Sequence, residues 1–164
     1  MRAARVRAVT DSLHADRVAI LIPLTVGLSA FAATILVHAL ALGAMVNFVR
    51  RERRVGRAGA SFLHNVAIVA VAISFALAAH LVEIGVWALL FMICGEFLEF
   101  ATAFDHSAVN YTTLGYGNVV MSPSWRLLGP LEAANGMLMF GVSTAMLFAV
   151  ILRLLHARLS DLED

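Results

Sequence analysis

The sequence predicts an all-α integral membrane protein, and three observations lead to this fold class. The 164 residues are 61% hydrophobic and only 14% charged, whereas a soluble domain carries about 25% charged residues. Three apolar runs are each long enough to cross a bilayer, which takes about 20 residues of helix. The basic residues are all arginines and cluster beside these runs, where they would anchor helices at the membrane edge.

The first apolar run covers residues 18–49 and contains one titratable residue, His38. It follows an N-terminal basic segment, residues 1–17, and precedes a second basic segment, residues 50–59. A secretory signal peptide also begins with basic residues, but its apolar core covers about 7–15 residues and this run is much longer. We therefore predict an additional transmembrane helix over 18–49, followed by a cytoplasmic basic loop over 50–59.

The other two runs predict a second unit over residues 60–156. Its outer helix is expected over 60–94 and its inner helix over 127–156, with a short C-terminal tail over 157–164. Residues 95–126 between them are too polar, and too often interrupted by Gly and Pro, to cross the membrane. Both ends of this segment therefore lie at the same membrane face.

The arginines also predict an orientation. Cytoplasmic loops are rich in arginine, which places residues 50–59 and the end of the inner helix inside and residues 95–126 outside. The same topology puts the N-terminus outside, and its four arginines oppose that placement. The side on which the N-terminus lies stays open at this point.

Residues 95–126 contain a short helix-forming stretch, about 102–112, followed by the heptapeptide TTLGYGN. Gly115 and Gly117 bracket a single Tyr116, and glycine tolerates positive φ and close backbone approach. Irregular backbone at membrane depth is tolerated only where it is buried in protein or lines a water-filled path. Such a loop can present a file of carbonyl oxygens, which suits a dehydrated monovalent cation.

The heptapeptide resembles the selectivity-filter signature of potassium channels, usually Thr-Thr-Val-Gly-Tyr-Gly-Asp. The resemblance extends over about residues 60–155: outer helix, short pore helix, filter, a return containing Pro and Trp, and inner helix. The chain is most similar to small bacterial channels of the two-transmembrane type, with one helix added in front. The resemblance implies passive, selective conduction of K⁺ across the plasma or inner membrane by a multi-pass channel.

Carried over by position, the resemblance implies that the filter covers residues 113–118. The backbone carbonyl groups that would bind K⁺ belong to Thr113, Leu114, Gly115 and Tyr116. The Thr113 hydroxyl would close the innermost site, the Gly117 carbonyl would face the outer mouth, and Thr112 would cap the pore helix. Leu114 replaces the usual Val. Asn118 replaces the usual Asp, which removes a charge and a hydrogen-bond partner behind the filter.

One filter strand cannot surround an ion, so four chains are expected to meet on an axis as a C4 homotetramer. Small residues along the inner helix would allow close helix contacts in such an assembly. The expected partners are other copies of the chain and membrane lipids, with no nucleic acid. No cofactor is expected, and K⁺ enters only as the permeant ion.

Further residues are candidates for filter support and gating. Glu132 is expected to brace the pore helix through His106, which stands beside Asp105 where the family often has aromatic residues. Gly136 and Gly141 are either positions of ordinary helix packing or hinges of a gate that includes Met146. Helical spacing places five residues of the inner helix on one stripe: Glu132, Asn135, Met139, Val142 and Met146. This stripe either lines the pore or faces the outer helix.

His80 and Glu83 lie one turn apart near the far end of the outer helix. They could pair with each other, or bond to the first helix, as a structural latch. A pH sensor is the alternative, because histidine titrates near physiological pH. His38 and His64 are expected to be packing histidines, and Glu96, Glu99, Asp105 and His106 either surround the outer mouth or belong to a solvated turret.

The remaining features bear on other function classes. A membrane metalloenzyme needs clustered His and carboxylate ligands, and the six histidines are scattered along the chain, so we expect no enzyme. No span repeats arginine every third residue, and only LSDLED follows Arg158, so neither a voltage sensor nor a soluble regulatory domain is expected. The alternatives to a potassium channel are a poorly selective or non-conducting relative, and a pH-modulated channel.

Overall fold

A computed structural model describes residues 2–57 and 61–160, and the side chains of residues 20–57 and 61–156. This part of the chain forms four helices: α1 (Arg2–Arg54), α2 (Phe62–Ile93), α3 (Phe100–Tyr111) and α4 (Leu128–Ser160). Three of them, α1, α2 and α4, are long and apolar enough to cross a membrane. The predicted all-α membrane class is therefore confirmed, and the chain is a multi-pass membrane protein.

The N-terminal third differs from its predicted division into segment, helix and loop. A single helix, α1, continues through both boundaries that the change in hydropathy suggested. Arginine is a good helix former and neither Gly nor Pro stands at these boundaries, so nothing ends the helix there. It ends after Arg54, and Gly56 adopts a φ of +70°, the left-handed conformation that commonly follows a helix.

The other helices begin and end within a few residues of their predicted positions. Ser61 precedes α2 and its side chain accepts a hydrogen bond from the backbone N–H of His64, which satisfies one free amide of the first turn. Cys94 and Gly95 end α2, with φ of +77° at Gly95. Short helix α3 begins two residues before the predicted start and ends with Thr112 as its C-terminal cap.

Helix α2 packs against the other three helices, and α1 also packs against α4. The main core lies at the end of the bundle that holds α3, where Trp87, Phe91, Tyr111 and Leu128 are completely buried. A smaller core at the opposite end joins the end of α1, the start of α2 and the end of α4. The arginine-rich connection after α1 and the loop around α3 therefore lie at opposite ends of the bundle.

Much of the helical surface remains apolar and exposed. Leu40 and Leu63, for example, expose 66% and 76% of their surface, and Ile93 exposes 83%. Contiguous apolar surface of this extent is not stable in water and marks contact with lipid or with other protein. Nine polar or charged residues are nevertheless buried within the described part of the chain.

Candidate functional site

The loop after α3 keeps its backbone amides directed toward that helix. The N–H groups of Thr113, Leu114 and Gly115 donate to carbonyl groups in the last turn of α3, at N···O distances of 2.9, 2.9 and 3.2 Å. The last two share the Val109 carbonyl oxygen. Because every peptide bond in the described chain is trans, the carbonyl of the preceding residue points away from each of these amides. The carbonyl groups of Thr113 and Leu114 therefore face away from α3.

The same loop alternates the sign of φ. Thr113, Gly115 and Gly117 have φ of +62°, +61° and +73°, and the two residues between them do not have positive φ. In an ordinary strand successive carbonyl groups point to opposite sides, and alternating left-handed residues reverse every second peptide plane. Thr113 adopts a left-handed conformation that costs a non-glycine residue energy and is held only by its surroundings. This backbone pattern favours carbonyl oxygens on a shared side.

The loop is fully open on the side away from α3. Residues 112–120 are all exposed, and Leu114 and Tyr116 expose 54% and 67% of their surface. On the other side, a cavity of about 560 Å³ separates the loop from α3 and the start of α4. Its polar lining includes Asp105, His106, Asn110, Asn118 and Arg126. The side chain that departs from the potassium-channel signature, Asn118, thus borders a space behind the loop.

Tyr111, the last residue of α3, is fixed on both its backbone and its side chain. Its carbonyl group lies so close to Gly136 of α4 that a β-carbon there would overlap the Tyr111 oxygen. Its side chain is completely buried and its hydroxyl donates to Glu83 Oε2. Gly136 is therefore a packing position, whereas Gly141 has no atom within 4 Å of the place a β-carbon would occupy. Helix α4 continues through both glycines.

Glu132 contacts helix α3 through Ser107 and Asn110, and not directly through the predicted partner, His106. The Ser107 hydroxyl donates to Glu132 Oε1 at 2.5 Å and lies 2.8 Å from the Ile84 carbonyl oxygen. A step of one residue turns a helical side chain by about 100°, so neighbours on α3 face different helices. Ser107 and Glu132 are both completely buried, and this bond joins α3, α2 and α4.

His106 instead connects α3 to the backbone after the loop. Its Nε2 accepts a hydrogen bond from Asn110 Nδ2 at 2.9 Å, and the ring also bonds to the Val119 backbone. Burial lowers the pKa of His106, while the Val119 bond and the charges of Asp105 and Glu96 partly offset this effect. The neutral ring thus donates on one side and accepts on the other.

Glu96, expected near the outer mouth, holds the returning chain. Its carboxylate accepts hydrogen bonds from the Ser122 backbone N–H at 2.7 Å and from the Ser122 hydroxyl at 2.6 Å. Two separate contacts, at Val119 and Ser122, therefore fix the segment that follows the loop.

The inner-helix stripe divides between the chain interior and its surface. Glu132, Asn135 and Met139 are buried within the chain, whereas Val142 exposes 44% of its surface and Met146 is half-buried. Asn135 Nδ2 donates to Thr34 Oγ1 of α1 at 2.8 Å, so α1 also contacts this face. The buried part of the stripe, formed by Glu132, Asn135 and Met139, therefore packs against the chain's own helices.

A second polar cluster lies beneath α3 and includes the two latch residues. Glu83 Oε1 lies 2.7 Å from His38 Nδ1 of α1, and His80 Nδ1 lies 3.4 Å from Glu83 Oε2. Glu83 therefore makes both contacts that the sequence left as alternatives. Ser143 Oγ of α4 lies 3.1 Å from the Nε2 atoms of both histidines, and His80 Nδ1 lies 3.1 Å from the Tyr111 hydroxyl.

Sequence reasoning missed the role of His38 and did not single out Tyr111 or Ser143. The only local signal was the position of His38 as the one titratable group in a long apolar run. His38, His80 and Glu83 bring donor atoms within 4.8 Å of one another, as metal ligands would. Each of their side-chain nitrogen and oxygen atoms nevertheless has a hydrogen-bonding partner in the chain.

Comparison with known proteins adds one finding to this geometry. The family model described as ion channel, of the two-transmembrane potassium-channel type, matches residues 67–153, more than half of the chain. Searches of curated proteins and of solved structures each gave no significant match. The match spans most of α2, all of α3 and the loop, and most of α4, and it confirms the resemblance noted in the sequence. The chain belongs to this ion channel family.

Proposed function

We propose that the chain is a potassium-selective channel of the plasma or inner membrane, and that residues 113–117 form its filter. One observation carries this proposal: the amides of Thr113 to Gly115 bond back to α3, which turns the intervening carbonyl groups toward the open side. Rings of backbone carbonyl oxygens can replace the hydration shell of K⁺. The alternating positive φ values at residues 113, 115 and 117 support the same arrangement.

The end of α3 adds a favourable field. The carboxyl end of a helix carries a partial negative charge from its free carbonyl groups, and cations are stabilised near it. Helix α3 ends at Tyr111, and only its C-terminal cap, Thr112, separates it from the first proposed filter residue. Dipoles fixed in this way attract a cation without placing a carboxylate in its path.

Conduction requires four chains, because each chain supplies a single filter strand. The exposure of residues 112–120 supports this requirement, since none of them is buried by its own chain. The native mass of the detergent-solubilised protein tests the assembly directly. A tetramer is expected, and a monomer or dimer under conditions that retain flux would contradict it.

Flux through the purified protein in liposomes tests selectivity. K⁺ and Rb⁺ should pass under their gradients while Na⁺ does not. In Gly115→Ala the added β-carbon opposes φ of +61°, at a cost of about 1–2 kcal/mol in each subunit, and K⁺ flux should be lost. Gly43→Ala in α1 is the matched control, because no atom lies within 4 Å of its new β-carbon.

The alternatives predict other patterns. Equal Na⁺ and K⁺ flux would identify a poorly selective pore, with Asn118 the first position to examine. Absence of flux under every gradient, from a protein that assembles as a tetramer, would identify a non-conducting relative. Flux unchanged by Gly115→Ala would contradict the assignment of the filter.

A further inference from the structure

We propose that α1 sets the conformation of the filter through His38, a positioning residue in a closed ring of five side chains that shares one proton. This inference rests on the proposed conduction through residues 113–117. The family match begins at residue 67, so α1 lies outside the matched segment. Through the ring, this added helix is connected by hydrogen bonds to Tyr111, two residues before the filter.

The shorter of two hydrogen-bonded paths from α1 to Tyr111 passes through a single carboxylate. Glu83 bonds to His38 of α1 with Oε1 and to Tyr111 of α3 with Oε2. Tyr111 is followed directly by Thr112 and Thr113, and its carbonyl group is in close contact with Gly136. With both its side chain and its backbone fixed, Tyr111 has little freedom to move without moving the first filter residue.

The ring closes through α4. Ser143 Oγ lies 3.1 Å from Nε2 of His38 and 3.1 Å from Nε2 of His80, and His80 Nδ1 lies 3.1 Å from the Tyr111 hydroxyl. Five hydrogen-bonding contacts thus connect one residue of α1, two of α2, one of α3 and one of α4. All five residues expose 7% of their surface or less, and Glu83 and Tyr111 are completely buried.

Counting protons shows what the ring must hold. Five contacts need five hydrogen atoms, one in each contact. Two neutral imidazoles, the Ser143 hydroxyl and the Tyr111 hydroxyl supply four, and an ionised Glu83 supplies none. A fifth proton, held between His38 and Glu83, completes the ring: His38 also donates to Ser143, Ser143 to His80, His80 to Tyr111, and Tyr111 to Glu83. Every contact then contains one hydrogen atom.

The fifth proton also removes the net charge. Without it the ring carries one negative charge inside the membrane and two lone pairs face each other at one contact. Buried unpaired charge and unsatisfied polar atoms are both costly, whereas a continuous ring of hydrogen bonds polarises its members favourably. On α4 the buried carboxyl group of Glu132 also interacts electrostatically with Tyr111, and it is bonded to Ser107. Rising pH is therefore expected to open the ring.

Two variants separate the shared proton from simple packing. His38→Ala deletes both contacts that α1 makes with the ring. It should therefore change the conformation of the filter at every pH. Glu83→Gln keeps the ring, because its amide N–H donates to His38 and its carbonyl oxygen accepts from Tyr111, but it has no proton to lose. His64→Ala is the control, since this exposed histidine bonds to Ser61 outside the ring.

Hydrogen exchange of the Tyr111–Gly115 amides in the full-length tetramer gives a readout independent of conduction. All buffers contain a chelator, so that a bound divalent metal cannot produce the effect. His38→Ala should exchange about fivefold faster than Glu83→Gln at the same pH, the factor expected for one net hydrogen bond. Wild type should match Glu83→Gln at low pH and approach His38→Ala as the pH rises.

The K⁺-to-Na⁺ flux ratio should follow the same order. Equal exchange in His38→Ala and wild type, or the same pH response in Glu83→Gln and wild type, would overturn the proposal. If His38→Ala does not assemble, Ser143→Ala opens the ring at its far side and should also exchange faster at low pH; unchanged exchange would overturn the proposal. The exchange pattern without K⁺ flux in wild type would refute the proposed function while retaining the ring.

Discussion

Gly136 of α4 lies against the carbonyl group of Tyr111, with no room for a β-carbon between them. This contact joins the inner helix to the last residue of α3, two residues before the start of the proposed filter. A built β-carbon at Gly136 would also lie 2.9 Å from the Tyr111 carbonyl carbon, which is backbone and cannot turn aside as a flexible side chain can. The glycine is therefore needed for close approach between α3 and α4, whether or not α4 bends there.

Gly136→Ala is expected to displace the end of α3 and abolish K⁺ flux. The measurement is liposome flux together with the fraction of protein that elutes as a tetramer. Gly141→Ala is the matched control on the same helix, because its β-carbon meets nothing within 4 Å inside the chain. It should assemble normally, since alanine favours a helix interior by up to about 1 kcal/mol over glycine. Normal flux in Gly136→Ala would show that the contact tolerates displacement.

Ser107→Ala tests the bond that joins α3 to Glu132. The substitution leaves Glu132 Oε1, an atom of a completely buried carboxyl group, without the Ser107 hydroxyl. An unsatisfied buried acceptor costs about 1–3 kcal/mol, so thermal unfolding should occur at a lower temperature. Ser74→Ala serves as control, because this exposed serine bonds only to a carbonyl of its own helix. Equal unfolding temperatures of the two variants would contradict the bracing role.

Local features of the sequence were sufficient to predict the spans and the loop. Three features can be recognised without knowing which residues are in contact: the long apolar runs, the stretch 102–112 without Gly or Pro, and the two glycines of the heptapeptide. The start of α1 could not be predicted in this way, because a change from basic to apolar residues alters hydropathy without ending a helix. The register of α3 against α4 was missed by one residue, since a sequence does not show which helix face meets Glu132.

The ring could not be predicted because its members are far apart along the chain. His38 and Ser143 are separated by 105 residues, and His80 and Tyr111 by 31. A lone histidine in an apolar run is compatible with packing, pairing or metal binding. Only the arrangement of four helices distinguishes these roles, and it supplies a hydrogen-bonding partner for every nitrogen of both rings.

His106 is expected to make the protein less stable in acid. Burial is the largest influence on its pKa and lowers it below that of a free histidine, about 6.5. The unfolded chain therefore takes up a proton first as the pH falls, and stability decreases below about pH 6.5 until the folded ring is also protonated. Protonation would also convert Nε2 from the acceptor of the Asn110 bond into a donor.

Thermal unfolding of the solubilised protein between neutral and mildly acidic pH measures this effect. His106→Gln should unfold with a weaker pH dependence than wild type, because its side chain does not titrate. His64→Gln, at an exposed histidine, should retain the wild-type dependence. Parallel pH profiles for wild type and His106→Gln would exclude His106 as the source of acid sensitivity.

Cys94 is expected to react slowly with alkylating reagents. Burial is the main influence that raises the pKa of its thiol, and the nearby carboxylate of Glu96 raises it further. Because the thiolate is the reactive form, a raised pKa leaves little of it at neutral pH. Glu96→Gln should increase the alkylation rate, by less than the about tenfold that a full pKa unit would give, since burial remains. Glu99→Gln is the charge-matched control; an equal increase there, or none in Glu96→Gln, would show that Glu96 does not act on Cys94.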